Sequence, residues 1–196
     1  MHKGILAASV GALSLLALSP AYADWSDYGW EPGTTRATVD TGVGGGGDKL
    51  VVVQYRNGDT KTIYAGDGFY ADMGVQHNFT DSGWSLKATA GFDYAAATGS
   101  NATVSFNRYP LDLLAIYSIG RSHIGFGLTE HLAPRLDLDG LGPNVDFDNA
   151  TGVVLQYQYW LFGARLTGIN YKVSNCPTGC SSVSGNSLSV FFNYTF

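Results

Sequence analysis

Along this chain apolar and polar residues alternate with a period of two over stretch after stretch, the spacing of β-strands with two unlike faces. From Ser187 to Phe196 one face reads Leu188, Val190, Phe192, Tyr194 and Phe196, and the other Ser187, Ser189, Phe191, Asn193 and Thr195. Trp84 to Tyr94 sets Trp84, Leu86, Ala88, Ala90, Phe92 and Tyr94 against Ser85, Lys87, Thr89, Gly91 and Asp93. Phe69 to Phe79 repeats the pattern, with Met73 and Val75 on the apolar side and Asp72 and Gln76 on the other. Ten residues at about 3.3 Å each, tilted by about 40°, rise ~25 Å, which is the height of the apolar band of a membrane-spanning barrel.

Five further strands follow, over Arg36–Gly44, Ser105–Ile119, His123–Leu132, Thr151–Trp160 and Ala164–Val173. Eight strands in all predict an all-β fold, an eight-stranded antiparallel up-and-down transmembrane β-barrel with both termini at one end. Connections alternate in length. Short links near Ser82-Gly83, Gly120-Arg121 and Leu161–Gly163 alternate with long ones over Gly45–Asp67, Ala95–Val104, Ala133–Ala150 and Ser174–Asn186. That asymmetry is the one expected of short periplasmic turns and longer extracellular loops. Asn57-Gly58 between Leu50–Tyr55 and Thr60–Tyr64 predicts a hairpin inside the first long link, extending above the membrane. Two strands fit less well. In Ala164–Val173 the apolar parity slips between Leu166 and Ile169, and Pro110 removes a ladder donor from Ser105–Ile119, so a bulge is expected there.

The N-terminus reads as targeting rather than structure. Lys3 precedes an apolar run from Ile5 to Leu18, and Ala21-Tyr22-Ala23 has the small-x-small cleavage pattern. This predicts a signal peptide over residues 1–23, cleaved after Ala23, with residues 24–196 as the outer-membrane β-barrel domain. The run falls short of the roughly 20 residues a spanning helix needs, and Asp24 gives no lipidation site. No later stretch is apolar enough for such a helix, and a β-barrel is the other way to satisfy every backbone hydrogen bond in lipid.

Composition agrees: 26 Gly, 12 Tyr and 10 Phe accompany only 14% charged residues, against about 25% in ordinary soluble domains. The net charge of −5, with no basic cluster, argues against nucleic acid as a partner. The polar faces of the predicted strands carry Asp40, Asp72, Lys87, Asp93, Arg108, Asp112 and Arg165, with Gln156 and Gln158. An eight-stranded barrel is just wide enough for side chains to fill, so these charges are expected to pair into a lumen network rather than line an aqueous pore.

Gly66-Asp67-Gly68-Phe69-Tyr70, Arg108-Tyr109-Pro110-Leu111 and the closing Leu188–Phe196, behind an Ala-x-Ala signal, together resemble the small Gram-negative outer-membrane β-barrel family of opacity- and OmpX-like proteins. The resemblance implies a place in the cell outer membrane with both termini periplasmic, contact with outer-membrane lipid and lipopolysaccharide, and a monomer. It also implies that Phe192, Tyr194 and Phe196 form the C-terminal signal read by the barrel-assembly machinery.

Candidate chemistry is sparse. Gly42–Gly47 lacks the Gly-Lys-Ser/Thr ending of a phosphate loop and reads as rim glycines. Cys176 and Cys180, in an oxidising compartment, are expected to form a disulfide that stiffens one loop by about 2 kcal/mol. Asp137, Asp139, Asp146 and Asp148 make another loop acidic but supply only a fragment of a calcium-loop pattern. Neighbouring Glu130 and His131 point to opposite faces, His77 sits near a periplasmic end, and no Gly-x-Ser-x-Gly occurs. The expectation is a non-enzymatic barrel with no catalytic residues, cofactor or metal, serving the envelope or presenting loops for surface interaction. Lipid A deacylation or acyl transfer is the first alternative, and a narrow solute pore the second.

Overall fold

The structure, a computed structural model, describes residues 32–55, 57–79, 83–99, 102–139, 141–174, 176 and 182–196. The predicted signal peptide and its cleavage site lie outside the described residues. Among the described residues there are thirteen strands: β1 (Thr35–Gly45), β2 (Lys49–Gln54), β3 (Thr60–Tyr64), β4 (Gly68–Asn78), β5 (Trp84–Thr98), β6 (Thr103–Ile119), β7 (Ser122–Asp139), β8 (Val145–Asp146), β9 (Ala150–Tyr159), β10 (Phe162–Gly168), β11 (Asn170–Tyr171), β12 (Val183–Ser184) and β13 (Ser187–Thr195).

Eight of these close a barrel. β1, β4, β5, β6, β7, β9, β10 and β13 each pair antiparallel with the next, and β13 returns to β1 through Thr38 opposite Thr195. Following the register once round returns to β1 about ten residues further along, a stagger that tilts eight strands about 40° to the axis. Both ends of the described chain therefore sit at the same rim.

Along these strands the rule of burial reverses part-way up. In the lower part, large apolar side chains point outward, with Met73 69% and Val190 59% exposed, while inward positions hold Asp40 at 0% and Lys87 at 1%. Higher up, Ala95, Ala97, Val104, Phe106, Leu136, Ile169 and Tyr171 are buried inside as one core with Val53, Ile63 and Ala65 of the β2–β3 hairpin. There Ser105, Asn107, Arg135 and Asp137 take the outward positions. The lower section is apolar outside and charged within; the upper section has the distribution of a water-soluble domain.

This reversal explains the slip of parity in the tenth strand. Arg165, Thr167, Ile169 and Tyr171 keep one inward parity throughout, and only the chemistry of the interior changes from charged to apolar. The barrel ladder of that strand nevertheless stops at Gly168, and Asn170–Tyr171 pairs with β12 instead, so the predicted single strand to Val173 is corrected to two pieces.

Two predicted loops are largely strand. β5 and β6 run on to a link of residues 99–102, where a long connection over Ala95–Val104 was expected. Ala95, Ala96 and Ala97 have little intrinsic strand preference, but Ala95 and Ala97 are buried in the upper core and all three pair with β6, so tertiary packing overrides propensity. β7 continues past Leu132 to Asp139 through a bulge. The register against β6 shifts between Asn107 and Tyr109, next to Pro110 as expected, but the extra residue is on β7, where Ala133 has φ 44° and Pro134 turns inward. The Asn57-Gly58 hairpin forms as β2–β3 with Gly58 at φ 89° and lies against the upper core. Gly46 and Gly47, at φ 133° and 79°, supply the left-handed backbone that turns β1 into that hairpin.

Candidate functional site

Two polar clusters fill the barrel, one above the other. In the lower one, Lys87 on β5 forms an ion pair with Asp40 on β1, both sealed from solvent. Asn193 on β13 donates from Nδ2 to Asp40 Oδ1 (2.5 Å) and Thr38 Oγ1 (2.8 Å). Arg165 on β10 donates through Nη1 to Asp112 of β6 (2.8 Å) and through Nη2 to Gln156 of β9 (3.3 Å). Its guanidinium also lies 3.7 Å from Asp72 and 3.9 Å from Asp40, and 5.3 Å from the ring centroid of Tyr70. Gly42 makes room for that ring: it stands opposite Tyr70 in register, and a Cβ there would come within 2.7 Å of it.

Arg108 on β6 organises the upper cluster. Its Nε and Nη2 donate to Asp93 Oδ2 at 2.8 and 2.6 Å. Nη1 donates to the carbonyl of Ala65 (2.5 Å) and Nη2 to that of Asp67 (2.7 Å), so one side chain ties the β3–β4 link into the barrel mouth. Above it His131 Nδ1 and Tyr171 OH are 2.7 Å apart, and Tyr171, Phe106 and Phe147 pack edge to face with centroids 5.6 to 6.0 Å apart.

Little space is left. A cavity of about 30 Å³ lies between the clusters, bordered by Asp72, Asp93, Arg108, Asp112, His131 and Arg165, and another of about 50 Å³ lies near the rim where the chain ends meet. Each has room for a few waters at most.

The remaining candidates fall elsewhere. Cys180 lies outside the described residues, as therefore does the predicted disulfide as a pair. Phe192 and Tyr194 occupy outward positions of β13, packing on Phe162 (5.6 Å) and Phe196 (4.7 Å) respectively. In the acidic loop Arg135 contacts Asp137 (2.7 Å) and Asp146 (3.7 Å), and Asp148 accepts from Ser174 (2.7 Å). Glu130 points outward and accepts from Thr151 (2.5 Å), while His131 points inward. His77 pairs with Thr35 on the outer wall (2.8 Å).

Sequence reasoning missed two pairs. Ser118 Oγ and His123 Nδ1 are 2.8 Å apart at the rim, with no carboxylate hydrogen-bonded to the imidazole among the described residues. The two-residue turn at Gly120-Arg121 puts them opposite each other, a register legible from the turn alone. The His131–Tyr171 pair joins residues 40 apart and has no local sequence signal.

No protein family and no characterised relative matches this chain by sequence. Among solved structures, it is similar to Ail, the attachment invasion locus protein of Yersinia pestis, crystallised with the heparin analogue sucrose octasulfate. Identity is 11%, the match covers 84% of this chain and 100% of that one, and the TM-score is 0.43.

Proposed function

We propose that this protein is a non-enzymatic outer-membrane β-barrel that holds a rigid cap of folded loops at the cell surface, for envelope support or surface interaction. The observation that carries this reading is the reversal of burial along the strands. A belt of outward Leu, Val, Met and aromatic side chains, roughly 25 Å tall from Trp84 to Tyr94, is the wall that acyl chains cover. Trp84, Tyr117, Tyr157, Tyr159 and Phe162 ring its lower edge, and Phe92, Tyr94 and Tyr109 its upper edge, as interfacial girdles do. The chain ends then face the periplasm, the long links face outward, Ala23 ends the signal peptide, and Phe192, Tyr194 and Phe196 serve the assembly machinery. Lipid and the acyl region of lipopolysaccharide are the partners of the belt, and the barrel acts as a monomer.

The upper cap distinguishes a presenting surface from a bare spanning barrel. The β2–β3 hairpin, the tops of β5 to β7 and the β11–β12 pair share one apolar core, so the exposed face has a fixed shape and offers a partner a surface that costs little to order. Planar-bilayer recording tests the filled lumen, and lipid A mass spectrometry tests the absence of chemistry. No stable open current and an unchanged acyl pattern in overproducing cells are expected; either a sustained conductance or an altered acyl pattern overturns the reading.

A further inference from the structure

One stretch of the outer wall is hollow. Phe92, Tyr94 and Tyr109 mark the upper edge of the belt on β5 and β6. Across the barrel, β1, β13 and β10 carry their last outward apolar side chains at Val43, Leu188 and Leu166, and the next outward positions hold Gly45, Asn186 and Gly168. A hollow of about 660 Å³ lies over these three residues, with Val153 and Leu155 of β9 on one side, Leu188 on the other and Leu166 at its foot. Its size falls in the range of small-molecule sites, roughly 300–1,000 Å³.

A glycine weakens a strand, and left-handed backbone or a close neighbour usually accounts for one. Gly74, Gly91 and Gly127 answer to the second need, since a Cβ on each would come within 2.0 Å of another atom. Gly168 answers to neither. Its φ is not positive, and a Cβ there would have Val153 Cγ2 at 3.3 Å, on an exposed side chain with room to turn, and Asn186 Oδ1 at 3.9 Å. What the missing side chain provides is the hollow itself.

Val153, Leu155, Leu166 and Leu188 belong to the belt and are 52 to 60% exposed, so hollow and belt form one continuous surface. An empty hollow forfeits dispersion contacts along its whole lining, and the acyl chains that cover the belt are the groups at hand to restore them. We propose that this hollow is a binding slot for one acyl chain of a lipid A molecule, an inference that rests on the outer-membrane reading of the belt. Gly46, at its upper end, leads into the β2–β3 hairpin of the cap, which places the slot in the outer leaflet, where lipid A is the resident lipid. The polar end of the slot suits the head of such a chain. Asn186 lines it with its Oδ1 held by the amide of Ile169 (3.0 Å), and its Nδ2 is a donor for the ester and hydroxyl oxygens of a lipid A chain.

Wild-type barrel refolded in detergent micelles and given hexa-acylated lipid A should retain one molecule in native mass spectra. Gly168→Leu puts a side chain into the slot, and Val153→Phe closes it from the β9 side at an exposed position. Each should cut retention about tenfold, the scale on which a hydrophobic site discriminates small changes of shape. Ala90→Leu adds bulk at an exposed belt position on β5, opposite β10 across the barrel, and should leave retention unchanged. Unheated gels report folding of each variant, and flotation with vesicles reports insertion separately. No lipid A on the wild type, full retention in the folded Gly168→Leu and Val153→Phe barrels, an equal loss in Ala90→Leu, or phosphatidylethanolamine held as tightly as lipid A would each overturn the slot while leaving the belt intact. A wild-type barrel that does not float with vesicles would overturn the belt and the slot with it.

Discussion

Replacing Arg165 by methionine is expected to destabilise the folded barrel by about 3–5 kcal/mol, the usual result of stripping the counter-charge from a buried ion pair. Arg165 is the hub of the lower cluster: it bonds Asp112 and Gln156, lies within 4 Å of Asp40 and Asp72, and stacks near Tyr70 and Phe191. Methionine keeps much of the volume and none of the charge, so the loss reports the carboxylates left behind. Adding Asp112→Asn should restore a large part of the stability, because the orphaned acid is then removed as well. Urea midpoints of wild type, single and double variants in one detergent supply the comparison. A loss below about 1 kcal/mol would mean that the interior is hydrated well enough to solvate the acids, contrary to a filled lumen.

The second large effect concerns the cap. Phe106 is fully buried, packs edge to face on Phe147 and Tyr171, and receives the Arg108 guanidinium on its ring face at 4.9 Å. Phe106→Ala is expected to cost about 3–5 kcal/mol, as for other buried aromatic truncations. Because the cap and the belt have separate interiors, the damage should be local. Limited proteolysis should cut the loops at the cap much faster than in wild type, while the belt still migrates as a folded barrel on an unheated gel. Loss of both together would show that the two sections fold as one unit and that the boundary at Arg108 carries no energetic meaning.

Much of the fold was legible because membrane strands state their environment plainly. Trp84–Tyr94 alternates without a break and Ser187–Phe196 departs from alternation only at Phe191; the second is a barrel strand over Ser187–Thr195, and the first is one that runs on to Thr98. Strand count, antiparallel order and the inward parity of the charged side chains follow from that alternation alone. What resisted was the upper section, where a soluble-type core uses the opposite rule. Read with the membrane rule, Ile169 and Tyr171 fall out of phase, Ala95–Ala97 read as loop, and Leu136 lies in a supposed connection, yet Ala95, Ala97, Leu136, Ile169 and Tyr171 are all buried inside the same cap. Partner choice within the interior was also hidden. Four acids and three cations leave many pairings open, and only the three-dimensional register sets Lys87 on Asp40, 47 residues apart, and Arg165 on Asp112, 53 apart. The cap contacts of Arg108 with backbone carbonyls have no signature in side-chain pattern at all.

The central claim is that one face of each strand meets acyl chains and the other a sealed interior. β9 offers the clearest ruler, since Ala150–Tyr159 alternates buried and exposed at every residue. Nitroxide labels placed singly from Thr151 to Tyr159 in vesicle-reconstituted protein should show a strict period of two. Labels at 153, 155 and 157 should collide readily with oxygen and not with a water-soluble nickel complex, and labels at 154, 156 and 158 with neither. High nickel accessibility at 153, 155 and 157, or an accessibility profile with no period of two, would contradict the account.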